Sequence, residues 1–150
     1  MKKLLLIVVS ASFFAIAGTM PVRAQVVDTI VADIPFGFTV RNTTLSAGKY
    51  TIKRLDSVDP GVMEISSANG KEKLVFLVVS AEVIQHPDET KLVFDRVGDQ
   101  YFLSEIFEEG NNSGVELKKS RAERKLEKEG ALTQLHSVAI PGQLGISATR

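Results

Sequence analysis

Among the side chains that could do chemistry in this sequence, Glu105 is the acid whose neighbours set it apart. It stands in "YFLSEIF" (Tyr101 to Phe107), between Leu103 and Phe107 at strand spacing. A carboxyl partly buried among apolar groups holds its proton to higher pH and can serve as a general acid. The competing expectation is that Glu105 lies at a sheet edge or pairs with a base such as Arg96, and this reading is favoured. Other chemistries have less to work with. His86 falls in the turn-like "HPDET" and His136 near the C-terminus, and neither has a second histidine at ligand spacing. The sequence has no cysteine. Zinc needs three or four nitrogen, sulfur or carboxylate ligands on a supported framework, so no metal site is expected. There is no Gly-x-Ser-x-Gly elbow, and no histidine in a strand beside a serine and an acid. No catalytic residue and no cofactor is assigned on these grounds.

The first residues read as an export signal. Lys2 and Lys3 precede the uncharged apolar run "LLLIVVSASFFAIAG" (Leu4 to Gly18), and Val22 and Ala24 occupy the small-residue positions before a cut. A run of about 15 apolar residues falls short of the roughly 20 that a spanning helix needs. Cleavage after Ala24 removes Lys2, Lys3 and Arg23 and no acid, leaving 15 basic against 18 acidic side chains, a formal charge of −3. That balance argues against nucleic acid, whose phosphates call for a basic face. It also argues against strong attraction to an anionic membrane. No later apolar run could span a bilayer as a helix, so an exported protein, periplasmic or extracellular and soluble, is expected. Without disulfides the remaining chain must be held by burial, and its length suits one domain with one core.

Strand signals dominate from Gln25 to about Glu109. "VVDTIVADI" and "FGFTV" are rich in branched and aromatic residues, with Pro35 between them. Two turns fix registers. Asn69-Gly70 tolerates positive φ at both centres of a type I′ hairpin, which sets Ile65 opposite Leu74 and Met63 opposite Phe76. Gly98-Asp99 opens a second hairpin, with Phe94 facing Leu103, Arg96 facing Tyr101 and Leu92 facing Glu105. "KLVFLVVSAEVI" (Lys73 to Ile84) is apolar at both parities, as a strand buried on both faces would be. "KSRAERKLEKEG" then carries a capping box, Ser120 with Glu123, and Gly130 as a stop. Only Ala122 and Leu126 are apolar between Lys119 and Glu129, so the helix must dock through that narrow stripe or remain partly frayed. The remaining charges of this helix read as a solvated face, with an acidic docking partner as the sharper alternative.

"TTLSAGKYTIKRL" (Thr43 to Leu55) reads as a corner between strands. Leu45 closes the end of the core, Ala47-Gly48 turns the chain, and Tyr50 starts the next strand with its ring inward and its hydroxyl near a wet rim. Together with "DIPFGFTV", "KLVFDRVGDQYFLSEIFEEG" and "KSRAERKLEKE", this stretch resembles a group of small secreted bacterial β-rich proteins of unassigned function. The pattern is a Pro-Phe-x-Phe strand, a Leu-x-Ala-Gly-x-Tyr corner, a Gly-Asp hairpin and a Ser-Arg-Ala-Glu helix, covering most of residues 33 to 129. The resemblance implies no catalytic residue. Ser46 departs from it where proline is expected, which bears only on turn rigidity.

The expected fold is all-β, a sandwich or open barrel of about seven or eight antiparallel strands with a short C-terminal surface helix. Its segments are a signal peptide (1–24), a β domain (25–117), a charged helix (118–130) and a mostly disordered tail (131–150). The strands are too short and too few for an integral outer-membrane barrel. The expected function is a non-catalytic exported β module with a binding or structural role, its partner an unknown protein. A small β-barrel carrier of an apolar ligand and an enzyme centred on Glu105 are the alternatives. N-terminal sequencing of exported material should read from Gln25, and retention of Met1 would overturn both the localisation and the charge balance.

Overall fold

The computed structural model describes residues 29–55, 61–82, 87–111 and 113–140; the signal peptide and His86 lie outside them. The first sheet orders its strands β1 (Thr29–Ile34), β4 (Gly48–Arg54), β5 (Val62–Ser67) and β6 (Lys73–Leu77), all neighbours antiparallel. The second runs β11 (Thr133–Ile140), β8 (Thr90–Val97), β9 (Gln100–Phe107), β10 (Ser113–Glu116) and β7 (Val79–Glu82). The hairpin of β2 (Phe38–Val40) and β3 (Thr43–Leu45) joins the second sheet through β9. The two sheets pack as a sandwich, with no closed barrel. The β2–β9 contact, Thr39 beside Phe102, is parallel, so the expected all-antiparallel arrangement holds elsewhere but not there.

Alternation builds the core. β1 buries Ile30, Ala32 and Ile34 and turns Val31 and Asp33 outward, while β4 buries Tyr50 and Ile52. Across the interior, Leu92 and Phe94 of β8 and Leu103 and Ile106 of β9 complete one apolar cluster. Phe38 sits between the sheets, edge-on to both Tyr50 (5.2 Å) and Phe94 (5.5 Å). On the outer face of the first sheet, Glu64 is buried between two lysines, 3.5 Å from Lys53 and 3.0 Å from Lys73. Those two ammonium groups hold its carboxyl below the usual carboxylate range.

Both expected hairpins form, with Ile65 opposite Leu74, Met63 opposite Phe76, Phe94 opposite Leu103 and Arg96 opposite Tyr101. The expected pairing of Leu92 with Glu105 does not. A bulge intervenes: Phe94 pairs with Leu103 but Val93 pairs with Glu105, leaving Ser104 as the extra residue. Its hydroxyl donates to the Val93 carbonyl (3.1 Å) and its own carbonyl accepts from the Leu117 amide (2.7 Å), so the unpaired residue is satisfied on both sides. An inserted residue exchanges the two faces of everything beyond it. Ile106 therefore points into the core, and Glu105 points out.

The tail needs the larger correction. Residues 133–140 are not disordered but form β11, paired with β8 from Thr133–Val97 to Ile140–Thr90. His136 lies edge-on to Phe36 and Tyr101, and Ile140 is buried in the core cluster. Polar residues on its outward side (Thr133, Ser137) and the exposed Leu135 hide that pattern in the sequence. The helix α1 spans Arg121–Lys128, inside the expected 118–130. None of the helices among the described residues is long and apolar enough to cross a membrane.

Truncation after Gly130 should therefore be costly. It removes a whole strand, leaves the backbone of β8 unpaired along one side, and strips Ile140 from the core. Burial of that side chain alone is worth roughly 1.5–3 kcal/mol, so urea unfolding should register a loss of about 3 kcal/mol or more, or no cooperative transition.

Candidate functional site

Three places on the molecule combine unusual chemistry with access: the corner before β4, the interface beneath α1, and the edge formed by β6 and β7.

At the corner, Gly48 takes φ 156°, a conformation that side chains with a Cβ rarely adopt. The turn it permits brings Tyr50 back under Ser46. The Tyr50 hydroxyl donates to the Ser46 carbonyl (2.8 Å) and lies 2.5 Å from Glu72 Oε2, while Glu72 Oε1 accepts from the amide and hydroxyl of Ser46 (3.3 Å each). A tyrosine bonding back to backbone a few residues upstream is the tyrosine corner of β-sandwiches. Burial, reinforced by the Glu72 carboxylate, pushes the Tyr50 hydroxyl well above its ordinary pKa. The same hydrogen bond lowers Glu72, so the pair stays phenol and carboxylate throughout the physiological range. A surface concavity of about 350 Å³ opens beside it, lined by residues of the corner and of the Asn69-Gly70 hairpin, including Lys49 and Lys71. Tyr50, Ser46 and Glu72 bond to one another across it, as do Ser67 and Asn69, which makes the corner a clamp between two turns.

The outer face of the second sheet carries the acids. There Glu105 stands opposite Glu116 on β10 and Val93 on β8. Burial raises its pKa, the charges of Glu116 and Asp95 raise it further, and Lys91 opposes them. The proton-holding character expected of Glu105 is thus present, but its partners are acids on an outer sheet face and not Leu92 and Leu103. Arg96 is engaged elsewhere, with the Gly98 carbonyl (3.1 Å) and Asp99 (3.6 Å). Glu105 lies in an interior strand of its sheet and not at an edge, and the base whose charge reaches it is Lys91 in place of Arg96.

α1 docks beside these acids, and not by its apolar stripe. Ala122 is exposed, Leu126 is half-buried, and the one buried helix residue is Glu123, 3% exposed. The capping box explains part of this: Glu123 accepts from the Ser120 amide (3.0 Å) and its own amide donates to the Ser120 hydroxyl (3.0 Å). Asp95 of β8 lies against the same carboxyl. Lys119 Nζ reaches Asp95 (3.9 Å), Glu123 (3.9 Å) and Glu127, serving three acids at once. The β2–β3 turn holds the helix start, with Arg41 donating to the Lys118 carbonyl (2.6 Å) and Asn42 accepting from the Arg121 amide (3.3 Å). Sequence reasoning identified Ser120 and Glu123 as a cap but missed Asp95, whose pairing only the fold reveals.

Along the third place, β6 and β7 form the open edges of their sheets, and the chain passes from one to the other through the buried Val78. Val75, Leu77 and Val79 alternate outward, 50%, 65% and 62% exposed. Among the described residues, no group of histidine and acid side chains could hold a metal ion.

The chain matches no family model, and no curated protein or solved structure matches it either.

Gly48→Val should lower stability by about 1 kcal/mol or more through backbone strain, because a Cβ there would meet Tyr50 Cε2 only at an ordinary 4.0 Å. Thermal unfolding measures it; an unchanged melting temperature would show that the corner does not depend on this conformation.

Proposed function

We propose that this chain is a non-catalytic exported β module, periplasmic or extracellular, that binds a partner protein along the β6–β7 edge. The observation that carries the reading is that, among the described residues, no strand pairs with the outer side of β6 or β7. Natural sandwiches protect an edge strand with lysine, proline, a bulge or a cover. From Leu74 to Ala81 this one has no charge and no proline, and three large apolar side chains point to solvent. The partner that fits is an extended segment with alternate apolar side chains, which adds a strand through main-chain hydrogen bonds and meets Val75, Leu77 and Val79 on one side.

The two other readings find less support. A carrier of an apolar ligand needs interior space, whereas Phe38, Tyr50, Phe94 and Ile106 fill the volume between the sheets. The concavity at the corner is open and rimmed by lysines. An enzyme centred on Glu105 needs a recess at that carboxyl, which instead lies on an outer sheet face beside Glu116.

Placing a photo-crosslinking residue at position 77 of the full chain, in cells that export it, tests the proposal. An adduct should form at 77 and not at a control position such as 125, with an extended partner segment in the cross-linked peptide. Val75→Lys with Val79→Lys should abolish it. An adduct between two copies of this chain would make the partner a second copy. Equal labelling at 77 and 125, or an adduct indifferent to the lysines, would overturn the reading.

A further inference from the structure

The contact between α1 and the second sheet is made of carboxyl groups. Asp95 from β8 and Glu123 from α1 are 7% and 3% exposed, and both lie within reach of one ammonium group, that of Lys119. Two buried carboxylates in contact repel unless a proton or a cation lies between them. The cation at hand is Lys119, and it is stretched over three acids: 3.9 Å from Asp95, 3.9 Å from Glu123 and closest to Glu127. The surrounding charges add to the demand for a proton. Glu105 on β9 and Glu116 on β10 extend the acidic face, with Lys91 on β8 as a further base. β11 contributes Thr133, whose hydroxyl donates to Glu127 (3.2 Å), and no charged group against the pair. From the β2–β3 turn, Arg41 reaches the Lys118 carbonyl, not the carboxyls.

We propose that α1 is a pH-dependent latch, held on the outer face of the second sheet while Glu123 carries a proton beside the buried Asp95, and loosened when that proton is lost. No apolar contact of the helix replaces it, because Ala122 is exposed and Leu126 only half-buried, and the bonds to Asn42 and Thr133 hold only its two ends. A helix of eight residues is too short to persist on its own, so release unwinds it as well. Release also uncovers the stretch of β8 that carries Val93, Asp95 and Val97, all buried in the docked state. Because Glu127 bonds Thr133, the start of β11 feels the same event.

The direction of the dependence follows from the protonation states. Burial pushes Glu123 up to about 7, the Ser120 amide opposes this, and Asp95 raises it further. Once the helix lifts, Glu123 returns to its ordinary value near 4.5. A docked-state pKa above the undocked one means that the docked state binds the extra proton. Docking is then fully favoured below about pH 4.5, and weakens as pH rises to about 7. Above that it levels off.

Amide hydrogen exchange of the full chain, corrected for the intrinsic pH dependence of exchange, tests the latch. Protection of residues 121–128 should fall roughly tenfold per pH unit between pH 5 and 7, then flatten. Phe94 and Leu103 in the core should show no such fall. Glu123→Gln keeps the capping box and should keep the helix protected at pH 8, whereas Asp95→Asn removes the neighbouring charge but not the burial and should narrow the pH range of the fall. Helix protection that stays constant in the wild-type chain from pH 5 to 7.5 would overturn the proposal. So would a wild-type fall retained in both variants. If a variant fails to fold, the wild-type profile and the other variant decide.

Discussion

Phe38 holds the two sheets together, and much of the architecture follows from where it must lie. Its ring stands edge-on to Tyr50 of the first sheet and to Phe94 of the second, at 5.2 and 5.5 Å. Edge-to-face aromatic contacts add about 0.5–1.5 kcal/mol each beyond their buried area. More important is the geometry they impose. β2 can deliver that ring only by lying beside β9, where Thr39 meets Phe102 in the parallel contact. β10 therefore pairs with β9 further along, at Ile106 and Glu105. Ser104 separates the two partners, and its bulge gives Leu117 a carbonyl to bond. The corner at Gly48 completes the frame by fixing Tyr50 from the other side through Ser46 and Glu72.

The same bulge decides which face bears charge. Without it, Glu105 would follow Leu103 into the core, where an unpaired carboxyl costs several kcal/mol. With it, Phe102, Glu105 and Phe107 share the outer face with Val93, Asp95 and Val97 of β8. That face is too apolar to leave bare and too acidic to cover with an apolar helix. α1, with a buried glutamate and flanking lysine, is the cover that such a surface accepts. The polarity of the helix, a weak feature when considered alone, suits the sheet beneath it.

Much of this was legible in the chain, and the failures have identifiable causes. Asn69-Gly70 and Gly98-Asp99 fix local registers because their φ requirements admit few loops, and both hairpins form as those residues dictate. The register beyond Ser104 was not legible from alternation, which assumes an unbroken period of two. The signal was nonetheless there: unbroken alternation from Leu103 would send the Glu105 carboxyl into the core, and one extra residue before it turns it out. β11 escaped for a different reason. Its core side begins with His136, which packs against Phe36 and Tyr101, and its outer side exposes Leu135. Polar and apolar residues thus stand opposite to the simple rule. The Glu123–Asp95 contact joins positions 28 residues apart in sequence, and no local pattern announces it.

The distribution of apolar residues between the two sides of the sandwich remains to be explained by something other than folding. On the side of β1 and β11, the outward residues are mostly polar: Thr29, Asp33, Thr133 and Gln134 are exposed, with Val31 and Leu135 among them. On the side of β6 and β7, the exposed Val75, Leu77 and Val79 follow one another without a polar residue of comparable size. These three contribute little to stability, since each keeps at least half its surface in water. Replacing them with threonine or lysine would cost the fold little and would protect the edge from misassembly. Each side chain of this kind releases roughly 1.5–3 kcal/mol when fully buried. That free energy is available to association and not to the isolated chain. Under the binding role proposed above, this edge is where association would release that free energy, and the rest of the sandwich is its frame.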